Sequence, residues 1–494
     1  MAKMFINIVF FLTPAIGYSQ VDTSSSFDFN KRYSAYELKI DLAILKDSLK
    51  IIHPALYRYT NKSSFDLAFK KANKLIDRPL TQTQFYAIVA PFISKVGDIH
   101  TTIELPNELY SHLATQGKLF PFDIRIIDKK VFIASNNSND SSIRVGSMIL
   151  KINNQPIGDV LDKMANCFSD EGTNETLKIK RTEQRFAFHY HLIYGYSKAF
   201  KLEYSLNNKP PQIKTVGSQP FSAIKKKRIE NQLKYPNLKP LFPQSPYLTL
   251  STDTKKNIAL ITIKWFQNDV LQEANEQFKP FIDSAFNEIK VNKIDNLIID
   301  IRNNGGGESE NASYLYSYLT NKPFRFLYAM ETNLKTYNED AGRGVKYTFV
   351  KSTGRYETLD STSIHQQFFG LNYQSPMPNS FSGKLYVLID GLTTSAAPQF
   401  ASLVKQNNRG ILIGENAPGS LLGGSGRGYS HFYLPNSGLL TMISKYRLYL
   451  ASLTQKKKDE CIIPDYKPVK SFSNALYGID KDIEFTIDLI TTTK

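Results

Sequence analysis

Three short segments, far apart in the chain, hold the residue types that could do chemistry together. They are Gly97-Asp98-Ile99-His100-Thr101, Asp300-Ile301-Arg302-Asn303-Asn304-Gly305-Gly306-Gly307 and Thr393-Thr394-Ser395-Ala396-Ala397. A loop histidine is a suitable base near neutral pH. A glycine run that opens a helix presents backbone amides to an anion. A serine at a helix start, followed by small alanines, sits where the helix dipole favours developing negative charge. Base, amide donors and nucleophile are the parts of an acyl-transfer site. Each segment alone also has a plain structural reading. Ser395 could be a helix N-cap, the glycines a tight turn, and His100 one more loop histidine beside His53, His112, His189, His191, His365 and His431. The glycine run could also meet a phosphate, but neither GxxxxGK[ST] nor GxGxxG is present. The combination is what points to acyl transfer.

The elements around these segments read as three regions. Leu38, Leu42, Leu45 and Leu49 recur at helical spacing, and Thr81 precedes another apolar-periodic run as an N-cap. Residues 36–116 therefore read as a helical N-terminal region that leaves His100 on a loop just past a helix. Residues 117–206 read as a small β domain with one or two helices, including a turn at Val145-Gly146-Ser147 and another at Asn153-Asn154. Residues 207–256, rich in Pro and Lys, read as a long surface connection. From residue 257 to 494, short apolar runs alternate with helical stretches: 258–263, 270–291, 296–301, 308–319, 384–389, 395–405 and 411–414. That alternation predicts an α/β domain with a mostly parallel sheet. Both the glycine run and Ser395 then fall at carboxyl ends of strands, where sites form in such sheets.

Taken together the three segments resemble the C-terminal processing (tail-specific) peptidase family, with its GDGHT-type, DLRNNGGG-type and TSxSAxE-type signatures. Ile413-Gly414-Glu415 and the glycine-rich stretch from Gly419 to Gly428 match the family's segments downstream of the nucleophile, and the resemblance covers roughly residues 36–480. It implies a helical N-terminal region, a PDZ-like domain at residues 117–206 and a ClpP/crotonase-like α/β catalytic core. One branch of the family pairs its serine with a lysine 25 residues downstream; that place here is Ser420. The other branch, which includes tricorn core protease, uses the histidine of the first segment. The resemblance thus implies Ser395 as nucleophile and His100 as general base. Gly305 or Gly306 with Ala396 would form the oxyanion hole, and Glu460 would be the orienting acid. Two departures stand out: Ile99 where tricorn core protease has a serine, and Pro398 where the family has a glutamate. They leave open a member that binds peptide or glycan without turnover, or an esterase.

Composition narrows the rest. With 494 residues, 41% hydrophobic and 21% charged, the chain is an ordinary globular one. The net charge is +16, but the basic residues are scattered. The runs Lys225-Lys226-Lys227-Arg228 and Lys456-Lys457-Lys458 read as solvated loops, so no nucleic-acid partner is expected. Lys3, an apolar stretch over residues 5–15 and the small Gly17 and Ser19 read as an export signal over residues 1–19. A flexible leader is expected at residues 20–35. The expected setting is the periplasm, the exterior or the cell surface, with no transmembrane anchor and a protein or peptide substrate. Without CxxC or HExxH, neither metal nor cofactor is expected. Export would permit a Cys167–Cys461 disulfide, with two buried thiols as the equal alternative.

Overall fold

The computed structural model of the chain describes residues 28–207, 209–333, 348–350, 355–358, 370–451 and 461–492. The expected export signal, Glu460 and Lys456-Lys457-Lys458 lie outside the described residues.

The C-terminal α/β core is a five-stranded sheet in the order Leu248–Asp253, Ile258–Ile263, Asn296–Asp300, Lys384–Ile389, Ile411–Gly414. The first pair is antiparallel and the other three pairs are parallel. Alternation across the pleat decides which face each side chain joins. Leu297, Ile299 and Val387 pack with Phe286, Phe400 and Val404 of the helices Phe278–Val291 and Ala396–Gln406. Ile298, Tyr386, Leu388 and Ile413 pack on Ile490 of the C-terminal helix Lys481–Thr492. Both faces are therefore covered, which explains the near-continuous apolar runs of the parallel strands. The helical stretch expected over 270–291 is two helices, Asn268–Glu273 and Phe278–Val291, broken where Asn275 takes φ +59°.

The N-terminal region is helical as its periodicity requires. Leu38, Leu42, Leu45 and Leu49 of the helix Ala35–Ile52 are all fully buried. Thr81 caps the helix Gln82–Ser94 in a reciprocal capping box with Gln84. Part of the expected flexible leader is ordered, since Arg32–Tyr33 pairs with Leu80–Thr81. The strand Thr102–Glu104 leaves this region and pairs antiparallel with Leu440–Leu450, the long strand of a second sheet whose hairpin partner is Ser425–Tyr433.

The β domain is an antiparallel sheet in the order Gln212–Gly217, Ala199–Ser205, Met148–Ile152, Lys130–Asn136, Phe122–Ile127. The helices Ile157–Ala165 and Thr176–Tyr194 pack on it. Asn153 and Asn154 both take positive φ, as a tight hairpin turn requires. The stretch 207–256, expected to be a surface connection, is more structured. Gln212–Gly217 extends the sheet, Phe221–Lys234 is a helix, and Leu248–Asp253 is an edge strand of the core. The basic run 225–228 is thus helical, and its Arg228 grips Asp123 through two hydrogen bonds of 2.8 and 2.6 Å. Composition hid this because its lysines face outward and only Ile224 of that helix is buried. Cys167 and Cys461 form no disulfide; Cys167 is buried and Cys461 is partly exposed.

A buried charge network ties the β domain and the C-terminal helix to the glycine loop. Arg302 donates to Asp300, to Asp480 and to Asp482 at 2.7 to 2.9 Å. Lys470 reaches Asp482 at 2.8 Å and Glu415 at 3.2 Å, and Lys180 of the β-domain helix reaches Glu415 at 3.4 Å. Burial pushes the carboxyls of Asp300, Asp480 and Glu415 up, but the neighbouring cations outweigh it. Arg302 and Lys264 hold Asp300 well below the usual carboxylate range, and Lys180 and Lys470 bring Glu415 down to about 2. Because the folded values lie below the unfolded ones, the stabilisation is complete above about pH 4.5 and is lost as pH falls toward 2. Replacing Arg302 with Met should cost about 3–5 kcal/mol at neutral pH, because it leaves buried carboxylates uncompensated. It should also flatten the acid dependence of stability; denaturant unfolding at pH 7 and at pH 3 to 2 checks both.

Candidate active site

The glycine loop is built by its asparagines. Asn304 donates through Nδ2 to the Ile263 carbonyl at 3.0 Å and accepts the Gly306 amide on Oδ1 at 2.8 Å. Its own carbonyl accepts the Thr394 amide at 2.9 Å, which stitches the turn before Ser395 onto the loop. Thr393 adds a hydroxyl bond to the Ile301 carbonyl at 3.0 Å, and Asp390 accepts the Asn303 amide at 2.8 Å. The fit leaves no room for side chains. A Cβ on Gly305 would lie 2.1 Å from the Trp265 ring, and one on Gly306 (φ +92°) would lie 2.4 Å from Ser395 Cβ.

Ser395 is not the side-chain N-cap that its position suggests. It makes no cap hydrogen bond, and it takes φ +60°, ψ −115°, a conformation that non-glycine residues avoid. This turn lifts the hydroxyl off the start of the helix Ala396–Gln406, the geometry of a nucleophile on a strand-to-helix turn. Pro398 lies in the first turn of that helix, where its missing N–H costs no intrahelical bond. It packs toward Gly419, where an added Cβ would come within 2.8 Å of the proline ring.

His100 arrives from the other side. The pairing of Thr102–Glu104 with Leu440–Leu450 sets its register, and the Tyr429 ring stacks on it at 5.7 Å. Its Nε2 stands 3.2 Å from Ser395 Oγ across 295 residues of sequence. His100 is 3% exposed, and this burial lowers its pKa; the Asp98 charge opposes that shift and the Arg181 charge adds to it. The imidazole is therefore neutral at pH 7, the state in which Nε2 can accept a proton. Of the expected oxyanion donors, the Gly306 amide is engaged by Asn304, whereas the Gly305 and Ala396 amides have no hydrogen-bond partner among the described residues.

Several groups that the sequence did not single out crowd this site. Asp98 Oδ1 accepts the His100 amide, and its Oδ2 accepts Thr101 Oγ1 and His53 Nε2, each at 2.8 Å. Asp98 lay within the first segment, and its two-residue spacing from His100 was the available signal. His53 carried no signal, being 45 residues away from Asp98. Glu171, held by Arg58 at 3.4 Å and Tyr59 at 3.1 Å, lines the same cavity as Ile99, His100, Ser395 and Pro398. That cavity is only about 20 Å³, room for roughly one water. A larger cavity of about 230 Å³ lies elsewhere, between Ala87, Lys95, Lys163 and Cys167. No group of acidic, histidine and cysteine side chains among the described residues could hold a metal.

Comparison with known proteins matches two stretches of the chain. Residues 257–467 match Peptidase family S41 and residues 116–216 match the PDZ domain. The chain is a serine-type peptidase with an S41 domain. The S41 match spans the glycine loop and Ser395, while His100 comes from outside both matched stretches. In fold, the peptidase is similar to mature CPAF complexed with lactacystin, at a TM-score of 0.67 and 14% identity, over 92% of this chain and 98% of that one. A point mutant of CPAF gives 0.66 and 16%, over 93% and 97%. No curated protein matches the sequence. No helix among the described residues of the peptidase is long and apolar enough to cross a membrane.

Two substitutions probe the built geometry. Gly306→Ala should destabilise the fold by about 1–3 kcal/mol through the clash with Ser395, read by denaturant unfolding. Ser395→Gly should be about 1 kcal/mol more stable than Ser395→Ala, because glycine accepts the positive φ that alanine resists; paired unfolding curves of the two variants check the order.

Proposed function

We propose that the chain is an exported serine endopeptidase in which Ser395 is the nucleophile and His100 the general base. The observation that carries this reading is the 3.2 Å approach of His100 Nε2 to Ser395 Oγ, on a hydroxyl held in a strained turn beside unpartnered amides. His100 Nε2 takes the hydroxyl proton as Oγ attacks the peptide carbonyl. The Gly305 and Ala396 amides receive the oxyanion, and the imidazolium then protonates the leaving amine. A water activated by the same nitrogen releases the acyl group. The orienting acid suggested by resemblance, Glu460, lies outside the described residues. The cationic start of the sequence and its short apolar stretch support export.

Closure of the cavity to about 20 Å³ favours a second reading, a peptide-binding member without turnover. One experiment separates the two. The purified protein is treated with a fluorophosphonate probe, and an internally quenched peptide library is assayed alongside. The peptidase reading expects labelling and cleavage in the wild type and loss of both in Ser395→Ala and His100→Ala. A wild type that binds peptides yet neither labels nor cleaves would favour the second reading. Because burial lowers the pKa of His100, activity should be full at pH 7 and fall only below pH 6.5, as the ring protonates; a pH–rate profile checks the direction.

A further inference from the structure

We propose that Asp98, locked by His53, is the acid that orients His100 and balances its charge, so that the site works as a Ser395–His100–Asp98–His53 chain. This inference rests on the Ser395–His100 reading and extends it by two positioning residues.

A neutral imidazole carries a single ring N–H. If Nε2 accepts the Ser395 proton, it must begin bare, and the ring hydrogen sits on Nδ1. That nitrogen is buried with no hydrogen-bond partner among the described residues. Asp98 Oδ1 lies 3.8 Å from it. A small swing of the imidazole closes that gap to a hydrogen bond, the kind of tightening that catalytic sites undergo when substrate binds. Oδ1 has capacity for the bond, since it accepts the His100 amide at 2.8 Å and a carboxylate oxygen takes two donors.

Asp98 is buried among neutral donors. Its side chain is 5% exposed, and it accepts from the His100 amide, the Thr101 hydroxyl and His53 Nε2, with the neutral Ser425 hydroxyl beside it. His53 is the neutral tautomer with its hydrogen on Nε2, because its Nδ1 accepts the Ala55 amide at 3.1 Å. Asp300 makes the contrast, with its charge balanced by Arg302 and Lys264. Asp98 keeps an unbalanced negative charge until His100 takes a proton. The other charged or titratable groups facing His100 are Arg181 from the helix Thr176–Tyr194, Tyr429 from the strand Ser425–Tyr433, and Glu171, which is bound to Arg58. Arg181 would oppose an imidazolium, so the balancing charge falls to Asp98.

The test measures the rate of fluorophosphonate labelling against pH in the full-length protein. It compares wild type with Asp98→Asn, His53→Gln, His53→Leu and Glu460→Gln. Asp98→Asn should slow labelling by about 10³–10⁴-fold. It should also move the acid limb to lower pH, because the imidazolium loses its counter-charge; a merely structural defect lowers the labelled fraction without moving the limb. His53→Leu should slow labelling by about 10-fold, and His53→Gln, whose amide can still donate to Asp98, should lose less. An unchanged rate and limb in Asp98→Asn would overturn the inference. So would a limb shift in Glu460→Gln without one in Asp98→Asn. If Asp98→Asn does not fold, the two His53 variants decide, and equal labelling by both overturns it. Wild type that does not label, or His100→Ala that does, instead defeats the Ser395–His100 reading itself.

Discussion

The site depends on one backbone pairing. Glu104, Ile103 and Thr102 lie opposite Leu440, Thr441 and Met442, and this register sets how far His100 projects toward Ser395. A slip of one residue would turn alternate side chains to the other face of the ribbon. Ile103 is buried in the N-terminal core with Ile443 and Leu439, so the apolar pattern on both partners holds the register. The histidine is thus supplied by one region and the serine by another, and strand pairing replaces any covalent link between them.

Two styles of burying charge divide the labour. Around Arg302 the carboxylates Asp300, Asp480 and Asp482 are matched by cations, and the network anchors the C-terminal helix to the loop that carries the glycine amides. Paired charges of this kind specify an arrangement more than they add stability. Around Asp98 the partners are neutral, so the carboxylate keeps its field for a neighbour that can become positive. In a low-dielectric setting that difference separates a structural carboxylate from one suited to chemistry.

Strain and close packing are concentrated where Ser395 meets the glycine loop. The serine takes a conformation suited to glycine, while Asn304, Thr393 and Thr394 hold the surrounding backbone so that the turn cannot relax. Strain of this order persists only where neighbouring contacts over-determine it. The absence of side chains at positions 305 and 306 stems from the same closeness, with Trp265 on one side and Ser395 on the other.

Much of this was legible in the residues. Period and apolar runs indicated the α/β core and helical N-terminus, because a sheet covered on both faces and an amphipathic helix leave plain patterns. The Asn153-Asn154 turn and the Thr81 cap were local chemistry, and local chemistry is written in adjacent residues. Composition misjudged residues 207–256, since an exposed lysine-rich helix and an edge strand bury too few side chains to leave a pattern. The sequence by itself determined which residue types could act and at which strand ends they fall. Only the tertiary structure decided that His100 reaches Ser395, that Gly306 gives its amide to Asn304, and that His53 stands behind Asp98. The first and last are contacts across 295 and 45 residues, and the second needs the backbone angle that Gly306 takes in the folded loop, so no nearest-neighbour preference encodes them.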